Sequence, residues 1–100
     1  MQVRVGHTKD VAEGQMRLYD LSGTKVAVAN AGGHLYAFDD RCTHSGCSLA
    51  AGRLDGTRVT CPCHGSQFDV TSGAVLRGPA TRPIRSLPVR VEGNDVLLES

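Results

Sequence analysis

Two short stretches hold every cysteine of the chain and two of its four histidines: Cys42-Thr43-His44-Ser45-Gly46-Cys47 and Cys61-Pro62-Cys63-His64-Gly65-Ser66. Nothing else constrains the fold as strongly, because soft metal ligands spaced this way have a use only if their loops converge on one point. The pattern is Cys42-x-His44, sixteen residues, then Cys61-x-x-His64. Each box offers one thiol and one imidazole, and Cys47 and Cys63 are left over.

The rest of the chain sets the scale. One hundred residues form a single domain, with a base expected from residues 1–38 and 83–100 and a loop-built lobe from about 39 to 82. The core is thin, with no Trp, two Phe and two Tyr, so a bound cofactor or a covalent staple would help to hold it. A formal charge of +1, with basic residues spread along the chain, argues against a nucleic-acid surface. The opening residues Met1 to Gly14 contain no apolar stretch of the kind a signal peptide needs, and no run approaches a membrane span. The expectation is a soluble, cytoplasmic monomer without a membrane partner, in which clustered cysteines point to metal before a disulfide framework.

Local patterning is that of strands. Gln2–Val5 alternates. Met16–Leu21 alternates as well, with Met16, Leu18 and Asp20 on one face and Arg17, Tyr19 and Leu21 on the other. Lys25–Asn30 and His34–Phe38 flank Ala31-Gly32-Gly33, a hairpin turn because glycine tolerates positive φ. Arg58–Cys61, Ser66–Val70 and Ala74–Leu76 are further short strands, with a turn at Thr71–Gly73. Leu87–Glu99 is two strands joined by Gly93-Asn94-Asp95. Lys9–Gly14 gives only a weak helical hint. The class is all-β, small antiparallel sheets packed on one another.

Two metal centres suit the boxes. A single zinc takes two thiolates and two imidazoles in a tetrahedron, but finger-type sites begin with a pair of cysteines rather than a mixed Cys/His box. A 2Fe-2S cluster with two imidazoles in place of two thiolates on one iron uses the same donors.

The two boxes, their gap, and the segment Gly78 to Val96 resemble the cluster loops, proline loop and final hairpin of Rieske proteins, and the length is similar to that of the small Rieske ferredoxins of multicomponent oxygenases. The resemblance implies one 2Fe-2S cluster, with Cys42 and Cys61 on one iron and His44 and His64, through Nδ1, on the other. Two ferric ions, two sulfides, two thiolates and two neutral imidazoles carry no net formal charge, which favours an added electron more than an all-thiolate centre does. The resemblance also matches Cys47 and Cys63 to the disulfide pair of high-potential Rieske proteins, which most oxygenase ferredoxins lack. A reducing cytosol would instead favour two shielded thiols. Ser66 matches a serine that donates to a cluster sulfide, whereas Phe68 stands where the high-potential group has a tyrosine, so one tuning hydrogen bond is expected and one is missing. Gly46 and Gly65 are expected to bring backbone N–H groups to sulfur, and Gly78-Pro79-Ala80 to cover the cluster. His7 and His34 read as surface residues.

The function implied is one-electron transfer without catalysis, from a flavin-dependent reductase to a terminal non-haem iron oxygenase, with transient docking near His44 and His64. The rival readings are a small subunit of a nitrite reductase or arsenite oxidase, the head of a quinol-oxidising complex, and a structural zinc module.

Overall fold

A computed structural model of the chain describes residues 2–44 and 46–99. The described residues form strands β1 Gln2–His7, β2 Met16–Leu21, β3 Thr24–Ala31, β4 His34–Asp39, β5 Arg53–Asp55, β6 Arg58–Thr60, β7 Gln67–Asp69, β8 Val75–Arg77, β9 Ser86–Leu87, β10 Val89–Glu92 and β11 Asp95–Glu99. All pairings are antiparallel and make three sheets, ordered β1-β11-β10, β2-β3-β4-β9 and β5-β6-β7-β8. The third sheet and both cysteine boxes fall between β4 and β9 in the chain. The weak helical signal near Lys9 is a single 3-10 turn, Thr8–Asp10.

Strand β3 organises the whole molecule. Its run Val26-Ala27-Val28-Ala29 is fully buried, because side chains alternate across a strand and both faces of this one are covered. Val26 and Val28 pack with Val11, Ala37, Leu87, Val96 and Leu98 against the β1-β11-β10 sheet. Ala27, Ala29 and Ala31 face the other way, into a cluster with Phe38, Leu49, Val59 and Phe68 that also contains Cys42 and Cys61. Small side chains on that face let the lobe lie close to the strand. Burying each valine contributes about 1.5–3 kcal/mol, so the two faces of one strand supply a sizeable part of a thin core.

The expected faces of β2 hold in register, with Met16 opposite Ala29 and Tyr19 opposite Val26. Leu18, however, stays 44% exposed. Strand β5 carries no sequence signal of its own, and the strand expected to start at Leu87 is split at Pro88, which has no N–H to give a ladder: Ser86–Leu87 is β9 in one sheet and Val89–Glu92 is β10 in another. Strand β9 exists because Ala37 and Phe38 of β4 pair with Leu87 and Ser86. Strand β5 exists because Arg53 to Asp55 folds back on Arg58 to Thr60.

Candidate metal centre

Each box is a tight turn closed by its own backbone. The Cys42 N–H donates to the Cys47 carbonyl at 3.0 Å, and the Gly46 N–H returns to the Cys42 carbonyl at 2.8 Å. In the second box the Cys61 N–H donates to the Ser66 carbonyl at 2.8 Å, and the Gly65 N–H to the Cys61 carbonyl at 3.2 Å. The same two bonds recur nineteen residues apart, so the loops are copies of one turn. Gly46 and Gly65 sit at φ 75° and 77°, a left-handed backbone that a side chain would strain. The N–H groups of both glycines go to the carbonyls of Cys42 and Cys61 and close the turns.

Superposing the two turns does not superpose all the ligands. Cys42 corresponds to Cys61, but His44 corresponds to Cys63 and Cys47 to Ser66. The extra residue between thiol and imidazole in the second box is what lets two similar turns present different side chains to a shared point.

The structure brings the boxes together. Cys47 and Cys63 are joined as a disulfide with their Cα atoms 6.5 Å apart. The Cys61 sulfur lies within 4.8 Å of both bridge sulfurs. The His44 and His64 rings meet edge to face, centroids 5.3 Å apart and planes at 82°. Cys42 and Cys61 are each 1% exposed, whereas both imidazoles are exposed.

The proline segment closes the site from the side. Gly78-Pro79 is a cis peptide, Pro79 is exposed, and Ala80 is buried against the cysteine cluster. The Ala80 N–H donates to the buried Ser66 Oγ at 3.0 Å. That hydroxyl therefore accepts from the proline segment and keeps its own proton to give. Phe68, fully buried in the same cluster, packs near the thiols and offers no donor. The Thr43 hydroxyl donates to the Arg82 carbonyl at 2.7 Å, so the first box is tied to the far end of that segment as well.

One supporting residue was missed in the sequence. Asp40, 5% exposed, accepts from the Ser48 hydroxyl and from the Ala50 N–H at 2.6 Å. It pins the chain leaving the first box to the chain entering it. An aspartate two residues before a cysteine gives no local sign of that role, since its partners lie eight and ten residues on. His7 also differs from expectation. It is half-buried and caps the 3-10 turn, its Nδ1 accepting from the Lys9 N–H at 3.1 Å. His34 is exposed at the start of β4.

The donor set can be tested against the two candidate centres. Thiolates and imidazoles around one tetrahedral zinc lie roughly 3.5–4 Å from one another, given metal–ligand distances near 2.0–2.3 Å. Among the described residues, no three of Cys42, His44, Cys61 and His64 bring donor atoms within 4.8 Å of one another. Two buried thiols on one side and two exposed imidazoles on the other fit a larger, two-sided group.

Comparison with known proteins agrees. Residues 1–88 match the family described as Rieske [2Fe-2S] domain. The chain is 41% identical over 91 residues to the 3-phenylpropionate/cinnamic acid dioxygenase ferredoxin subunit of Escherichia coli (strain K12), covering 90% of this chain and 85% of that one. Its fold is similar to that of the Sphingomonas yanoikuyae B1 ferredoxin, with TM-score 0.95, 31% identity, and 100% and 99% of the two chains covered. It is also similar to the ferredoxin of carbazole 1,9a-dioxygenase from Nocardioides aromaticivorans IC177, with TM-score 0.93, 30% identity, and 98% and 96% covered. A two-sided sulfur-and-nitrogen site between paired turns, on a chain with these relatives, makes this protein a member of the Rieske [2Fe-2S] family, a ferredoxin that transfers electrons and is not itself the catalyst.

Proposed function

We propose that the chain collects single electrons from a flavin-dependent reductase and hands them to a terminal non-haem iron oxygenase acting on aromatic compounds. Docking is brief and centred on His44 and His64. Cys42 and Cys61 hold one iron, and His44 and His64 hold the other through Nδ1. The protein works as a cytoplasmic monomer, and no helix among the described residues is long and apolar enough to cross a membrane.

The observation that carries this reading is the split in exposure, with both thiols 1% exposed and both imidazoles open to a partner. When bound, the cluster supplies reversible one-electron chemistry at a potential raised by its neutral ligands. The chain does the rest. Ala80 and Phe68 exclude water from the thiol side, the paired turns fix the four donors, and the imidazole edges give a short path outward. Support for the acceptor comes from the relatives' own names, which are dioxygenase ferredoxin subunits, and from the complex of reduced oxygenase and oxidized ferredoxin in carbazole 1,9a-dioxygenase, 34% identical with TM-score 0.93.

Anaerobic purification with iron and acid-labile sulfide analysis, followed by an EPR-monitored redox titration, tests the reading. The expected result is one one-electron wave per chain inside the Rieske window of roughly −150 to +300 mV. Colourless protein holding zinc and no labile sulfide after reconstitution would overturn it.

A further inference from the structure

The loops that present the imidazoles carry no carboxylate. From Arg41 to Leu54, from Gly56 to Phe68 and from Val70 to Val91 the sequence contains neither Asp nor Glu. Arginines remain there. A groove of about 510 Å³ runs beside His44, lined by Arg41, Thr43, Arg82 and Arg85, with Asp39 at one edge. Arg85 is partly neutralised, its Nε 3.3 Å from the Asp39 carboxylate. Arg41 and Arg82 are exposed and make no ion pair among the described residues. Asp40, adjacent to Arg41 in the chain, is buried and committed to Ser48 and Ala50. Three guanidinium groups thus face one carboxylate on a chain that is nearly neutral as a whole.

This excess has a defined position. Thr43, one residue before His44, holds the Arg82 backbone by its hydroxyl. Arg41 lies against the Gly46 turn, its Nε 3.6 Å from the point where a Cβ would project. Arg41 is therefore seated on the loop that carries His44, and Arg82 on the proline segment tied to that loop. Planar guanidinium groups bind carboxylates bidentately, fixing orientation as well as supplying attraction.

We propose that this groove is a carboxylate receptor that receives Asp or Glu side chains from an acidic loop beside the electron-entry site of the terminal oxygenase, orienting the His44 edge toward it. The proposal rests on the electron-carrier reading for its partner and on charge complementarity for its chemistry. Arginines on the tip speed encounter with an acidic partner and slow it with a basic one, an effect that salt screens over about 10 Å at 0.1 M.

The test uses the reduced holoprotein with two small oxidants of opposite charge. Ferricyanide takes one electron from the protein and becomes ferrocyanide. Tris(phenanthroline)cobalt(III) takes one and becomes the cobalt(II) complex. No proton or bond changes in either case. Between about 10 and 300 mM KCl, the ferricyanide rate constant should fall and the cobalt rate constant should stay level or rise. Combining Arg41→Gln with Arg82→Gln should cut the low-salt ferricyanide rate at least about fivefold and flatten its salt slope with the EPR signal retained, while the cobalt rate should not fall; the potential should drop a little as two cations leave the cluster's neighbourhood, a change that would speed oxidation rather than slow it. Combining Arg4→Gln with Arg90→Gln, an equal change in net charge on the β1-β11-β10 sheet, should have little effect.

A fluorescent decaglutamate peptide gives a second readout by anisotropy. It should bind the wild type and the Arg4/Arg90 variant, and should lose binding to the Arg41/Arg82 variant. Equal losses in both double variants, or a ferricyanide rate that rises with salt, would overturn the proposal. Peptide binding needs no electron, so loss of the cluster signal with retained, arginine-dependent binding would count against the carrier reading and leave the receptor standing.

Discussion

Ala80 donates its backbone N–H to the hydroxyl of Ser66 across 3.0 Å in a fully buried setting, linking the proline segment directly to the second metal-binding turn. One hydroxyl thus serves two purposes. Its lone pair fixes the wall of the site, and its proton is left for whatever lies inside.

If that proton meets a cluster sulfide, Ser66→Ala should lower the reduction potential. A hydrogen bond to a charged acceptor is worth ~1.5–3 kcal/mol, which converts to a fall on the order of 100 mV for one electron. Phe68→Tyr should move it the other way by a similar or smaller amount. Protein-film voltammetry of the three proteins decides the matter. An unchanged potential in both variants would mean that neither position faces the cluster.

Cys47→Ser with Cys63→Ser removes the covalent tie between the boxes. The bridge spans a sequence separation of 16, and closing a loop of that size stabilises a fold by about 3 kcal/mol. The cluster-free protein should lose roughly that much in a urea titration. The loaded protein should lose less, because the cluster ties the same loops. Equal losses in the two forms would show that the bridge acts on something other than loop closure.

Ala29→Leu places a large side chain between β3 and the lobe, where the existing residue is fully buried. Overpacking of this kind costs about 1–3 kcal/mol. The lobe should be displaced, so visible-range circular dichroism of the bound cluster should change along with the melting temperature. Ala12→Leu, at an exposed site, should do neither.

Tyr19 has a buried hydroxyl that makes no hydrogen bond among the described residues. Burial, and then the charge of Asp10, push its pKa up, against a smaller opposing effect of Arg17. The neutral phenol is thus the form the folded state prefers. That contribution to stability is complete below the unfolded value near 10 and is lost as pH rises through the higher folded value. Tyr19→Phe should be neutral or stabilising by up to ~1 kcal/mol at pH 7, and its stability should fall less than that of the wild type between about pH 9 and 11.5. Parallel denaturation curves across that range would refute the assignment.

What could be read from the residues divides along physical lines. The boxes were legible because metal ligands at short spacing have few other uses, and the hairpin at Gly32-Gly33 because only certain residues fit such a turn. The interior role of β3 was present in its unbroken Val/Ala run, yet a short apolar run does not say what lies on either side. Asp40, Thr43 and Arg82 were silent, since each acts through a partner eight to thirty-nine positions away. The glycine turns were legible because φ can be inferred from residue type, whereas the direction of an N–H cannot.

Strand β3 is a party wall: its valines belong to one compartment and its alanines to the other. Loss of the strand would expose both compartments at once, which couples their melting. Heating should therefore produce one sharp calorimetric transition for the whole chain, instead of a redox tip that melts early from a foundation that persists.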